Sequence, residues 1–487
     1  MITSLKNPKV AAAVRLKKRA FREADRRFLV EGPQGVREAL ASGAVVDVLF
    51  HGGSPDALVE AARLAGVETI SVSEEVMAKL TSTVTPQGVV AVVRFVNKGL
   101  KGLPAEPACV AVLHSVRDPG NAGTVMRSAD AAGADAVVFS ATSVDVYNPK
   151  TVRASAGSLF HLPVARATDT AQALEVLRSR GCRVYAMDAG GAEDLYQLDL
   201  TRPTTFLFGN EAWGLPPEVA SLADATVRVP IRGRAESLNL AAAATVCLFE
   251  WARQLREGRR VMLESVVASA AHDIRSPLTA MKGFGYALAT RWDQMAEEQR
   301  TLMLQGIVYD TDRLNMIVRQ LVDAARVVVG ALELFPERVD VRALVENVAR
   351  SAARDPDRPP VVWEGQDRPV AFLDPDRLQL VLEAFVEAEV WWAGDGPIRV
   401  TARRTDGRLE LEAFRAGTEL TKEAAVALFQ PRAPGTGAGS KIGLFVAHGV
   451  AEAQGGTVDV EVADGGLRFR LDVPAGERTN GPSTGPC

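Results

Sequence analysis

Five short, nearly all-apolar runs lie at 109–113, 136–139, 182–187, 204–208 and 225–229. Stretches with helical spacing separate them, at 122–133, 149–157, 170–180 and 238–255. A strand that alternates apolar with polar residues can keep one face in water. A continuously apolar strand has to be covered on both faces, and strands alternating with helices provide that cover as a wrapped parallel sheet. Such sheets take their ligands beyond the carboxyl ends of the strands. The polar residues cluster there: HSVRDPGN after the first run, GNEAWGLP after the fourth, PIRGRAESLN after the last.

At 487 residues the chain exceeds what one core supports, so three or four domains are expected. Ahead of the parallel sheet, FLV (28–30), VVDVLF (45–50), VETISV (67–72) and GVVAVVRF (88–95) alternate with helical spacing and predict a small α/β domain over 1–100. A Gly/Pro/Lys-rich linker follows, and the parallel-sheet domain spans 108–257. Beyond Gly258 the texture changes to two long helices over 258–330. Leu304, Ile307, Thr311, Leu314, Val318, Leu321 and Ala325 follow a heptad that suits a bundle or dimer. A further α/β region covers 336–476, and the tail 477–487 is expected to be disordered.

The net charge of −4 points to no partner, but residues 1–40 hold ten Lys/Arg against four acids. That density fits either a solvated helix face or a phosphate-binding arm. The cysteines, Cys109, Cys182, Cys247 and Cys487, form no CxxC. Three sit in apolar patterns, which fits reduced core residues, a cytoplasmic location and no metal site. No run is long enough to span a membrane.

The three polar clusters have distinct local chemistry. In the last, Val227 and Val229 read as a strand end, and Pro230 stops the ladder for lack of an N–H. Ser237 is the expected cap of a helix beginning at Leu238. Asn239 then occupies the first turn, where orphan backbone N–H groups and the positive dipole end face outward. In the first cluster Asn121 is the expected cap of a helix carrying Gly123, with Arg127 one turn beyond Gly123. In the second, Gly209 permits close backbone approach, Glu211 stands at the strand end and Pro216 opens the next helix.

HSVRDPGNAGTVMRSADAAGAD, FLFGNEAWGLP and VPIRGRAESLNLAAAATVCLFEWARQ resemble the three motifs of the SpoU (TrmH-type) RNA ribose 2′-O-methyltransferases. RRFLVEGPQGVREAL and TSTVTPQGVVAVV resemble the small RNA-binding domain that often precedes that catalytic domain. The resemblance implies a knotted α/β fold, bent S-adenosyl-L-methionine as cofactor and a homodimer. It maps cofactor contacts, largely through backbone, to Gly209, Val229, Ile231 and Leu238. It maps RNA positioning and catalysis to Asn121, Arg127, Glu211, Ser237 and Asn239. Arg127 is a poor base at neutral pH, and suits a forming alkoxide or an adjacent phosphate better.

SAAHDIRSPLTAMKGF resembles the phosphoacceptor box of bacterial histidine kinases, with His272 as phosphoacceptor and Asp273 as its acidic neighbour. The region after 336 resembles the ATP-binding domain of those kinases, with departures. Ala384 and Ala388 stand where magnesium-binding asparagines are expected, and Arg415 where an adenine-reading aspartate is expected. GTGAGSKIGLFVAHGVAEAQGG keeps the later glycine-rich pattern. Alanine cannot ligate magnesium, so weak or no ATP hydrolysis is expected.

The reading that follows is a cytoplasmic ribose 2′-O-methyltransferase acting on rRNA or tRNA, with a kinase-like dimerising or regulatory half. The alternatives are a histidine kinase autophosphorylating on His272 with an RNA-binding input half, and a non-enzymatic RNA scaffold. Partners on these readings are RNA, a second copy, and a response regulator or another kinase, with no membrane.

Overall fold

The computed structural model describes residues 1–53, 57–83, 85–167, 169–353, 358–365, 368–429 and 441–476. The tail after 476 and residues 435–440 of the glycine-rich stretch lie outside the described residues. The chain forms two compact units, Met1–Glu257 and Gly258–Cys487.

The first unit begins with α1 (Pro8–Arg15), α2 (Arg19–Asp25), β1 (Arg27–Glu31), α3 (Pro33–Ala41), β2 (Val46–His51), α4 (Ala57–Leu64), β3 (Glu68–Ser71), α5 (Glu74–Leu80) and β4 (Val89–Arg94). The strands form one sheet in the order β1-β4-β2-β3, with only β2 and β3 parallel. Its two faces are covered by α1 with α5 and by α3 with α4. Val10, Ala13, Val76 and Leu80 pack with Leu29, Phe50 and Val90, while Val36, Ala39 and Val59 pack with Phe28, Val30 and Leu49. The basic start is therefore a docked helix pair rather than a free arm, because Val10, Ala13 and Leu16 bury one face. Arg22 is itself buried: it pairs with Asp145 at 2.6 Å and donates to the carbonyls of Leu16 and Lys17. A buried guanidinium is tolerated only when its donors are met in this way.

The parallel sheet comprises β5 (Cys109–Leu113), β6 (Ala136–Ser140), β7 (Val164–Ala167), β8 (Arg183–Met187), β9 (Glu193–Asp194), β10 (Thr204–Phe208) and β11 (Ala225–Arg228). Their order is β7-β6-β5-β10-β8-β11-β9, and every recorded pairing is parallel. The five apolar runs are all strands. β7 and β9 fall outside those runs: β7 has four residues with Arg166 among them, and β9 consists of two acids. Helices α6 (Pro119–Ala132), α7 (Pro149–Ala154), α8 (Thr170–Ser179), α9 (Pro217–Ala220) and the first part of α10 (Leu240–Arg291) complete the unit. β11 ends at Arg228, so Val229 lies past the strand, and Pro216 precedes α9, whose first residue is Pro217. Cys109, Cys182 and Cys247 are free and buried.

α10 does not stop near residue 255 as expected. It runs for 52 residues through Gly258 and Pro277. One glycine costs a helix only about 1 kcal/mol, and strong helix formers flank it. In the second unit α10 is followed by α11 (Glu297–Val329), β12 (Glu337–Asp340), α12 (Val341–Ala352), β13 (Val361–Trp363), β14 (Val370–Leu373), α13 (Pro375–Trp392), β15 (Asp395–Thr405), β16 (Arg408–Ala416), α14 (Lys422–Val426), α15 (Lys441–Ala453), β17 (Thr457–Ala463) and β18 (Gly466–Pro474). A five-stranded sheet, β13-β15-β16-β18-β17, shares one core with α12, α13 and α15, and β12 pairs with β14. The face of α11 that is buried carries Asp310, Ile317, Gln320, Asp323, Ala324 and Val328. The heptad stripe is divided: Leu321 packs against this core and Thr311 Oγ1 donates to Met281 Sδ of α10, while Leu304 and Val318 are 47% and 50% exposed. Contact with α15 decides the buried face, where Gly443 lies against Gln320 and Gly449 against Val327. Among the described residues no helix is long and apolar enough to cross a membrane.

Candidate active site

The three polar clusters meet at the carboxyl edge of the parallel sheet. β5 and β10 are neighbours in register, Leu113 opposite Phe208, so the loops that leave them start side by side. Asn210 fixes the second loop. It exchanges backbone hydrogen bonds with Gly214, its side-chain amide donates to the Ser115 carbonyl at 2.7 Å, and its Oδ1 accepts from the Ala212 amide. Gly209 has to be glycine here, since a Cβ would lie 2.4 Å from the Gly214 carbonyl carbon.

Glu211 then reaches into the first cluster. Its carboxylate accepts from the backbone amides of Arg117 (3.0 Å) and Asp118 (2.9 Å) and from Asn121 Nδ2 (3.2 Å). Burial pushes this carboxyl up, but those donors outweigh it and hold the group below the usual carboxylate range. Asp118, not Asn121, caps α6, accepting from the Asn121 amide at 2.8 Å. Lys150 pairs with Asp118 at 2.9 Å and, ahead of the amide donors, lowers its pKa. Freed from capping, Asn121 turns its side chain to the site.

The third cluster closes the chain of contacts. Ser237 does not cap α10. The helix starts at Leu240 and Asn239 caps it, its Oδ1 accepting from Ala241 and Ala242. Asn239 Nδ2 donates to Asn121 Oδ1 at 3.2 Å. A carboxylate only accepts, so each amide has one permitted orientation. Asn121 must turn its NH₂ to Glu211 and its oxygen to Asn239. Both amides keep a second N–H outside this chain.

The other expected residues are placed as follows. Arg127 is exposed and has no hydrogen bond or ion pair among the described residues. Ser237 is exposed, as are Ile231 (36%) and Leu238 (40%), while Val229 is half-buried. Gly123 lies against α7, where a Cβ would sit 2.5 Å from the Thr151 carbonyl oxygen. Among the described residues no backbone hydrogen bond engages 229–238. A run of unspent amides and carbonyls at the strand ends, beside a glycine with no side chain, fits a ligand held through backbone groups. Asp118, Lys150 and Asn210 join the site beyond the residues expected from the sequence, and all but Lys150 stand inside the polar clusters.

In the second unit His272 lies on α10 with its side chain 73% exposed, and Nδ1 is 3.4 Å from Asp273 Oδ1. Ala384 and Ala388 are buried on α13. Arg415 donates to the carbonyls of Glu389, Ala393, Gly394 and Gly396. Glu389 is fully buried, and burial raises its carboxyl to about 9 against the opposing pull of Arg415.

Three family models match the chain. The SpoU rRNA Methylase family covers 108–249, the MRM3-like substrate binding domain 7–91, and the His Kinase A (phospho-acceptor) domain 262–330. The chain is 33% identical over 249 residues to the 23S rRNA (guanosine(2553)-2′-O)-methyltransferase RlmP of Bacillus subtilis, covering 51% of this chain and 97% of that protein. It is 36% identical to the 23S rRNA (uridine(2479)-2′-O)-methyltransferase of Streptomyces viridochromogenes, over 48% of this chain and 84% of that one. A crystal structure of an AdoMet-bound rRNA methyltransferase from Sinorhizobium meliloti aligns with a TM-score of 0.49 at 36% identity, over 52% of this chain and 97% of that one.

Proposed function

The chain belongs to the SpoU rRNA methylase family, and we propose on that footing that it methylates a ribose 2′-hydroxyl of rRNA or tRNA with S-adenosyl-L-methionine as donor. The observation that carries the reading is the Asn239–Asn121–Glu211 chain, which joins the three clusters through side chains. When bound, the cofactor supplies an electrophilic methyl group on a sulfonium. Gly209 in the second loop and Val229, Ile231 and Leu238 in the last would hold it, largely through backbone groups. Transfer is an in-line displacement in which the 2′-hydroxyl oxygen gains the methyl and gives up its proton to solvent, so alignment of the ribose supplies much of the rate. The spare N–H groups of Asn121 and Asn239 and the Ser237 hydroxyl would serve as ribose donors. Arg127, with its guanidinium unengaged, stabilises the developing alkoxide or the neighbouring phosphate. Glu211, held ionised by amide donors, is a poor proton acceptor, and we assign it the role of anchoring Asn121.

Residues 1–100 would bind RNA and 108–257 carry the chemistry. Residues 258–330 and 336–476 would form a dimerising or regulatory kinase-like module, in a cytoplasmic homodimer. The exposure of Ile231 and Leu238 supports a second copy covering the cofactor loop. The exposed His272 supports a phosphoacceptor role, with another kinase as donor or a response regulator as receiver. Against autophosphorylation stand the buried Ala384 and Ala388 and the carbonyl-bound Arg415.

The test is methyl transfer from labelled S-adenosyl-L-methionine to ribosomal and transfer RNA from cells lacking the gene. Label should survive alkaline hydrolysis, and Asn239→Ala should lose transfer while keeping cofactor binding. No incorporation by the wild-type chain would sink the reading. Labelled ATP is expected to leave His272 unmarked; label lost in His272→Ala would instead establish the kinase alternative.

A further inference from the structure

The junction of α2, β1 and β4 concentrates arginine at a cost in stability. Arg27 and Arg94 are register partners on antiparallel strands, and like charges at directly opposed positions repel. Both reach one carboxylate, Asp47. Between α2 and β1, Arg26 adopts φ 53° at the helix end, a left-handed position that glycine or asparagine fills at less cost. Its guanidinium lies 4.8 Å from the centroid of the Phe95 ring, which itself stacks on Tyr147 at 3.8 Å. Among the described residues Arg26 has no carboxylate partner. The nearby Asp25 is engaged by Arg15 at 2.7 Å. Four guanidinium groups thus face two carboxylates. Asp25, Arg26, Arg27, Arg94 and Phe95 line a cavity of about 400 Å³.

Strained backbone positions cluster at ligand-binding sites, where the surrounding structure holds them in place. The fork of a guanidinium matches a phosphate, and the aromatic stack fixes Arg26 before any ligand arrives. We infer that this cavity is a subsite for a phosphodiester of the RNA substrate, with Arg26 and Arg94 as its phosphate-binding residues. The inference rests on the methyltransferase reading for its ligand. Two of its residues, Arg94 and Phe95, lie beyond the span matched by the substrate-binding family model, 7–91. Contacts of this kind set register on RNA without reading sequence.

The experiment uses the full chain, a fluorescent RNA stem-loop of mixed sequence, and anisotropy across a salt series. Arg26→Asn accepts the left-handed backbone, so its melting temperature should be equal to or above that of the wild type. Its RNA affinity should fall about fivefold, with the log–log salt slope smaller by about one. Arg94→Gln should reduce the slope likewise, and both variants should bind S-adenosyl-L-methionine normally. An unchanged slope in both, or a lower melting temperature with unchanged affinity, overturns the subsite and leaves the methyltransferase reading standing. Arginine-dependent binding to anionic phospholipid vesicles without an effect on RNA also overturns it. A wild-type chain that neither binds nor methylates RNA fails the parent reading instead.

Discussion

Asn121 accepts from one neighbour and donates to the other, so the polarity of the site depends on an amide at that position. Asn121→Asp keeps its shape but sets a carboxylate against Glu211, 3.2 Å from the former donor. Methyl transfer should fall about tenfold or more at neutral pH and recover partly as the pH drops and a proton restores the donor; a pH–rate profile measures this. His161 meets Asp130 at 3.0 Å and Glu38 at 3.1 Å. The bond to Asp130 leads in raising its pKa, and that to Glu38 adds to it. The charged form is therefore favoured by folding. Its stabilisation is complete below the unfolded value of 6.5 and is lost as pH rises through the folded one. His161→Gln should lower the melting temperature in acid and leave it unchanged in alkali. Glu389 has the opposite sign. Folding favours the neutral acid, so ionisation between 4.5 and about 9 works against the fold. Glu389→Gln should stabilise the chain increasingly across that range, as thermal melts at several pH values would show. Asn121, Glu211 and Asn239 were legible in the sequence because an odd polar residue at a strand end or helix start is visible there. Which of them caps a helix was not legible. That depends on where the backbone turns, and neighbouring Asp118 and Asn239 each offer an oxygen at the right step.

At the level of elements, the apolar runs gave the central strands directly, since both-face burial leaves an unmistakable pattern. β7 (VARA) and β9 (ED) hid because register with a neighbour, and not their own hydrophobicity, makes them strands. The loop from β10 depends on backbone approach at Gly209, where a Cβ would also meet the Gly214 oxygen at 2.5 Å. Gly209→Ala should cost about 1–3 kcal/mol in denaturant unfolding and depress methylation with it. α11 illustrates a limit of periodicity. The heptad found its most regular stripe, yet Ile317, Ala324 and Val328 are buried instead, because the tertiary neighbour α15 takes a different face. Of the regular stripe, Leu321 joins the core and Leu304 and Val318 stay exposed.

For the whole molecule, composition and length foresaw several domains, and Cα packing resolves the chain into two units that meet in sequence at Gly258. A single helix serves both, as Gly258, the only breaker between Leu238 and Ile274, allows. Leu248 and Trp251 belong to the first unit's core, Val266 and Ala270 to the second's. Residues 256–262 between them are all exposed, with Gly258 in their midst. So short a segment is unstable as an isolated helix in water. Its hydrogen-bonded turns persist because helix propagates into it from an anchor at either end. In helix–coil terms the segment is a shared boundary condition. Melting at one end would remove one nucleus and leave the segment to be propagated from the other end alone.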